Sequence, residues 1–304
     1  MRCSANNHLP SRMRQGVAPA EHARILQQLR TLASSQFTEV HEYLLRRMWA
    51  AHFGSLQSPP PYSRPDPRWK EMGFQGNDPT TDLRGVAVAA AAQLVHLLET
   101  MPNLWQLLNG PDCGTTPFSK AACLINISGC LFYYLDLLEP TAPSMMEPCR
   151  GDGGRTAAST HAAEPSCGCS CCCKSVTNSA TEGFLHLVLL NSDASDCDDV
   201  GLSTQHDEQR NPLLTMNSPL YILSEIYCVQ AFLMHGKLQQ AVMEHGDAAV
   251  FHFNSILSDT AIDIHRRLRE EANDVLRPQC LLSLAEQIRA SSMQSNVEIG
   301  IGKK

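Results

Sequence analysis

Two stretches of this chain carry residue types at spacings that could do chemistry. One is the run Trp69-Lys-Glu-Met-Gly-Phe-Gln-Gly-Asn-Asp-Pro-Thr-Thr-Asp-Leu-Arg-Gly85, which sets a single arginine, Arg84, behind two acids and between glycines. A guanidinium is planar, permanently charged and able to meet two oxygens of a carboxylate or phosphate at once. On the residues alone, its ordinary use is a local ion pair with Asp78 or Asp82. The other stretch is the cluster Cys167, Cys169, Cys171, Cys172 and Cys173. Cys169 and Cys172 form a Cys-x-x-Cys, with Cys149 and His161 upstream, but a zinc site needs a second pair at finger-like spacing and none follows. The cluster reads as low-complexity sequence or as a set of S-acylation sites that would tether a loop to a membrane.

Other chemistries are absent from the pattern. No Gly-rich loop ends in Lys-Ser/Thr, so no nucleotide should bind to this chain by itself. His41-Glu42 is followed by Tyr-Leu-Leu rather than completing a zinc-protease motif, and there is no Gly-x-Ser-x-Gly elbow. Glu270-Glu271 reads as a solvated helix face. A net charge of −7 gives no basic footprint for nucleic acid. No cofactor and no metal are expected.

The elements around Arg84 must hold it in place. Trp69 and Phe74 are close enough in sequence to pack in one knot, and Gly73 and Gly76 permit tight or positive-φ backbone beside them. Asp78-Pro79 reads as an N-cap followed by proline at the first helical position. Ala87, Ala91, Leu94, Leu98 and Met101 continue at helical spacing, which places Asp82 and Arg84 inside the first turns of one long apolar helix.

With these residues in view, the stretch resembles the signature of the ELMO domain as found in ELMO-domain-containing (ELMOD) proteins. The matching positions are Trp69, Gly73-Phe74-Gln75, Asp78-Pro79, Asp82 and Arg84-Gly85. Leu83 stands where the family usually has Phe, and Ala87 where a second Gly is usual. The resemblance implies a GTPase-activating protein for an Arf or Arf-like GTPase, with Arg84 as its catalytic residue supplied in trans and the GTP-bound GTPase as partner. The related ELMO proteins proper, partners of exchange factors, lack an Arg at this position. A non-catalytic adaptor that binds a small GTPase or an exchange factor is the alternative, and a membrane-tethered scaffold using the cysteine loop a third.

The rest of the chain reads as helices. At 304 residues it has room for one large or two small domains. Residues 1–54 form an N-terminal arm, with Ile25, Leu29 and Leu32, then Phe37, Val40, Tyr43, Leu44 and Met48 at helical spacing. Ser34-Ser35-Gln36 is the expected break, with Ser35 as N-cap. Residues 55–67 are a stiff Pro-rich connector. Residues 68–273 are the expected ELMO domain, an all-α irregular bundle, with 140–217 a mostly disordered insert. Gly151-Asp-Gly-Gly154, the cysteines and the acidic run from Ser192 to Gln209 bury too little apolar surface to order themselves. Phe184 to Leu190 is the apolar exception.

Phe118 to Leu138 should be the central buried helix, Ser218-Pro219 should open another, and Gly236 should break it. A last long helix carries Val250, Phe253, Leu257, Ile264 and Leu268, and residues 274–304 hold one more short helix and a tail. Cys113, Cys123, Cys130, Cys228 and Cys280 read as buried reduced thiols. No apolar run is long enough to span a bilayer and no signal-peptide core is seen, so a cytoplasmic setting is expected, with acylation the route to membrane association.

Overall fold

The computed structural model describes residues 19–109, 118–138, 174–192, 213, 215, 218–271 and 283–290. The architecture is all-α, with no strand among the described residues. Two helices, α1 (Pro19–Ser34) and α2 (Glu42–Phe53), precede the signature. After it come α3 (Ala87–Thr100), α4 (Pro102–Asn109), α5 (Lys120–Tyr134), α6 (Lys174–Ser192), α7 (Pro219–His245) and α8 (Phe253–Glu271). A short helix over 283–290 follows.

α3, rather than the 118–138 segment expected to be the central buried helix, is the axis of the bundle: α5 spans only Lys120–Tyr134 and leaves Tyr133 exposed. From Ala87 through Leu98 every residue is buried, because small alanines let neighbouring helices close on all sides. α2, α4, α5 and α7 all pack against it. α1 and α2 share this one core with the rest: Ile25, Leu29, Leu44, Leu45 and Met48 are each at most 2% exposed. Arg47 clamps Glu99 at the far end of α3 through two charge-assisted hydrogen bonds.

Helix starts follow local chemistry. The Ser218 hydroxyl accepts the Tyr221 N–H at 3.1 Å with Pro219 at the first helical position, as the sequence leads one to expect. The break after Ser34 is present, but its cap is Thr38, in a reciprocal box with His41. Ser35 turns back instead, its hydroxyl donating to the Thr31 carbonyl.

Three further expectations are corrected. The helix that Asp78-Pro79 was expected to open is a single 3-10 turn, Pro79–Thr81, and α3 starts only at Ala87. Gly85 lies between them at φ +68, a conformation no continuous α-helix contains. Arg84 therefore sits in a connecting loop rather than on a helix. Gly236 does not break α7, which runs on to Gly246; there φ +57 ends it. The apolar island at 184–190 belongs to a longer helix, α6, which is buried from Ala180 through Leu185 apart from Glu182.

Cys130 and Cys228 are buried free thiols and Cys123 is partly buried; burial pushes the thiols of Cys123 and Cys130 up to about 12. Cys113, Cys280 and the cluster Cys167 to Cys173 lie outside the described residues.

Candidate functional site

The signature is a closed loop whose ends are tied together. Asp66 begins it, capping the 3-10 turn Pro67–Lys70 by accepting the Arg68 N–H at 2.9 Å. Its own N–H donates to the Asn77 carbonyl at 2.9 Å, so residues 66 and 77 meet. The Arg68 N–H and then its guanidinium hold the Asp66 carboxyl below the usual carboxylate range.

Inside this loop Trp69 is fully buried. Its ring packs edge-on against Phe74 at 5.4 Å and Tyr62 at 6.3 Å, and tilted against Trp49 at 5.1 Å. The Trp69 indole donates to the Ser63 carbonyl and the Trp49 indole to the Pro60 carbonyl. These two donors fasten the Pro-rich connector to the knot. Trp69 and Phe74 are brought together as expected. Trp49, Tyr62 and Asp66 were not foreseen, since nothing local in the sequence links α2 to the connector.

Gly73 docks the loop onto α5. It adopts φ +86, and an added Cβ would lie 2.9 Å from Lys120 Cβ. Its carbonyl accepts the Ser119 hydroxyl at 2.6 Å and the Ala121 N–H at 2.9 Å. Position and space both require glycine here.

The second half of the loop presents Arg84. Asp78 caps the Pro79–Thr81 turn, accepting the Thr80 N–H at 3.0 Å and hydroxyl at 2.7 Å. Asp82 reaches back to accept the Gln75 N–H at 2.7 Å. Leu83 and Val86 are buried at 6% and 1% exposure, so the backbone is pinned on both sides of an exposed Arg84–Gly85 step. The Arg84 Nε donates to the Thr81 carbonyl at 3.0 Å, which orients the guanidinium plane. Arg84 makes no ion pair with Asp78 or Asp82: Asp82 accepts the Gln75 N–H, while Asp78 accepts from Thr80 and pairs with the Arg64 guanidinium at 3.7 Å. Arg84 is exposed, and its terminal nitrogens have no hydrogen-bond or ion-pair partner among the described residues.

A cavity of about 50 Å³ between α4, α5 and α7, lined by Leu108, Phe118, Leu124, Ile127 and Met234, is far smaller than an ordinary ligand pocket. Among the described residues no three His, Cys, Asp or Glu side chains gather where a metal could be held, and no helix is long and apolar enough to cross a membrane. At Arg84 the loop offers an oriented surface cation, suited to an anion that another molecule brings.

Comparison with known proteins agrees with the signature. The sequence profile of the ELMO/CED-12 family matches residues 24–236, and so reaches back into α1. The chain is 26% identical over 133 residues to ELMO domain-containing protein C of Dictyostelium discoideum, a match covering 44% of this chain and 20% of that protein. It is 31% identical over 115 residues to human ELMO domain-containing protein 2, covering 34% of this chain and 38% of the relative. The chain thus spans well under half of either relative's length. No solved structure matches it.

Proposed function

The chain belongs to the ELMO/CED-12 family, and we propose that it is a GTPase-activating protein for an Arf or Arf-like small GTPase, to which it supplies Arg84 in trans. The observation that carries this reading is the state of Arg84: exposed, oriented through Nε by the Thr81 carbonyl, and held clear of both acids of its own loop.

Phosphoryl transfer to water spreads charge over the transferred group and the leaving oxygen. A guanidinium delivered to those oxygens stabilises the transition state more than the ground state, and such a residue is worth ~10³–10⁵ in rate. The partner is the GTP-bound form, met in the cytoplasm or at the membrane surface that carries it. Trp69, Gly73, Phe74, Gln75, Asp78, Pro79, Asp82 and Gly85 act as supports: they shape the loop and touch no substrate.

The test is a GTP-hydrolysis screen of the full chain over a panel of Arf-family GTPases. Acceleration of at least one, at substoichiometric chain, is expected. Binding to GTP-loaded partners with no acceleration of any would replace this reading with the adaptor.

A further inference from the structure

Arg64 lies in the Pro-rich connector, outside the signature, and bridges two carboxylates from different parts of the fold. Its Nε stands 3.4 Å from Glu42 Oε2 and its Nη1 3.7 Å from Asp78 Oδ1. Two nitrogens of one planar fork thus address two acids at once, which a single ammonium cannot do. Glu42 opens α2, and its other carboxylate oxygen accepts the Tyr62 hydroxyl. The Tyr62 ring is fixed in turn by Trp49 at 5.9 Å and Trp69 at 6.3 Å, with the Arg46 guanidinium over its face at 4.4 Å. On this side the grip of Arg64 is anchored in the aromatic knot.

On the other side Asp78 caps the 3-10 turn Pro79–Thr81. Its Oδ1, the atom facing Arg64, also accepts the N–H and hydroxyl of Thr80. The Asp78 carbonyl accepts the Thr81 hydroxyl at 2.8 Å and the Thr81 N–H at 3.2 Å. The Thr81 carbonyl then receives the Arg84 Nε–H at 3.0 Å. Glu42, Arg64, Asp78, Thr81 and Arg84 therefore form one unbroken series of contacts, from a helix packed in the core to the exposed guanidinium.

We infer that Arg64 is a positioning residue for Arg84: by pairing with Glu42 and Asp78 together, it fixes the turn whose last carbonyl aims the Arg84 guanidinium. Its consequence for rate rests on the activating reading above; its consequence for the guanidinium does not. The Thr81 bond to Arg84 points only as steadily as the turn that carries it, and misplacing a reacting group by about 1 Å can cost ~10²-fold in rate. The side chains of Arg64 and Asp78 are 27% and 36% exposed, so their pair is partly screened and adds little to stability. Its loss is felt in the aim of Arg84 before it is felt in melting.

The experiment takes two readouts on the full chain. One is the side-chain Nε–H NMR signal of Arg84, assigned by its loss in Arg84→Lys. The other is single-turnover GTP hydrolysis by the Arf-family panel, measured against chain concentration. The variants are Arg64→Gln, Arg64→Lys, Asp78→Asn and the double variant Arg64→Gln with Asp78→Asn. Asp78→Asn keeps an oxygen acceptor for Thr80 and removes the charge that Arg64 faces, so it carries the same test should Arg64→Gln not fold. In Arg64→Gln and in Asp78→Asn the Arg84 signal should move to the shift and fast solvent exchange of a free arginine. The saturated stimulated rate should fall about tenfold or more, with the half-saturating concentration within about twofold of wild type. Arg64→Lys should lie between Arg64→Gln and wild type, and the double variant should be no worse than either single one, because both act through one contact. An Arg84 signal unchanged in both single variants overturns the inference. So do losses that multiply in the double variant, or a raised half-saturating concentration with an unchanged saturated rate, which makes Arg64 a partner contact. A wild type that accelerates no member of the panel, with an Arg84 signal that still responds to Arg64→Gln, sustains the positioning and overturns the activator.

Discussion

The carboxylate of Asp82 accepts the backbone N–H of Gln75 at 2.7 Å and leaves Arg84, two residues on, without an acidic partner. This hydrogen bond closes the second half of the loop. Asp82→Ala should loosen the loop, cost about 1–2 kcal/mol in urea unfolding and weaken GTPase stimulation. Asp82→Asn retains an acceptor and should recover most of both. Equal damage from Asn and Ala would mean that the negative charge, rather than the acceptor, matters.

The two positive-φ glycines should respond differently to alanine. At Gly85 (φ +68) the space around an added Cβ is open, so only the backbone conformation is penalised, by about 1–2 kcal/mol. At Gly73 (φ +86) the same penalty is joined by a 2.9 Å encounter with Lys120 Cβ and 3.0 Å with the Ala121 nitrogen. Gly73→Ala should therefore lower the urea midpoint distinctly more than Gly85→Ala. Equal midpoints would show that the docking of the loop on α5 is slack.

Much of this loop is legible in the sequence, and the limits have physical causes. Trp69 and Phe74 announce their knot because both are large and close in the chain. Ser218-Pro219 announces α7 because a cap and an N1 proline act within one turn. Asp78-Pro79 carries the same local signal and yet opens only one turn, because Gly85 takes positive φ and Asp82 bonds backward; neither is decided locally. The parts that seat the loop are long-range. Trp49 arrives from α2, Ser119 from the start of α5, and the connector carbonyls of Pro60 and Ser63 are reached by indole donors. Gly236 looked like a break, but nothing lies within 4 Å of its would-be Cβ, and an uncrowded glycine is tolerated inside a long packed helix.

Trp69 is a support, so truncating it should be felt in stability first. Trp69→Ala empties a fully buried site and should cost about 3–5 kcal/mol. Trp69→Phe keeps a ring for Trp49, Tyr62 and Phe74 and loses the bond to the Ser63 carbonyl, for about 1–2 kcal/mol. Urea unfolding decides it. An unchanged midpoint with lost stimulation would make Trp69 a contact residue instead.

Acid should destabilise the fold beginning below the ordinary histidine value of 6.5. His52 is held below that value by burial, and its Nδ1 accepts the Trp105 indole N–H at 3.0 Å, a bond that protonation there abolishes. His235 and His265 are lowered by burial as well. In each case the unfolded chain takes up the proton first, so this stability is complete above about pH 6.5 and is lost as pH falls toward the folded values. The melting temperature should be flat above pH 7 and decline below 6.5, less steeply in His52→Gln. A His52→Gln profile parallel to wild type would remove His52 from the transition.

The central claim is that Arg84 acts in the GTPase site and only in the transition state. Single-turnover GTP hydrolysis by a responsive Arf-family partner, with wild type, Arg84→Lys and Arg84→Ala at saturating concentrations, measures this directly. Arg84→Ala should fold and bind like wild type, yet lose the stimulated rate by a factor of ~10³ or more. Arg84→Lys keeps the charge without the planar fork and should also be severely impaired. A folded Arg84→Ala chain that accelerates hydrolysis as well as wild type would contradict the account.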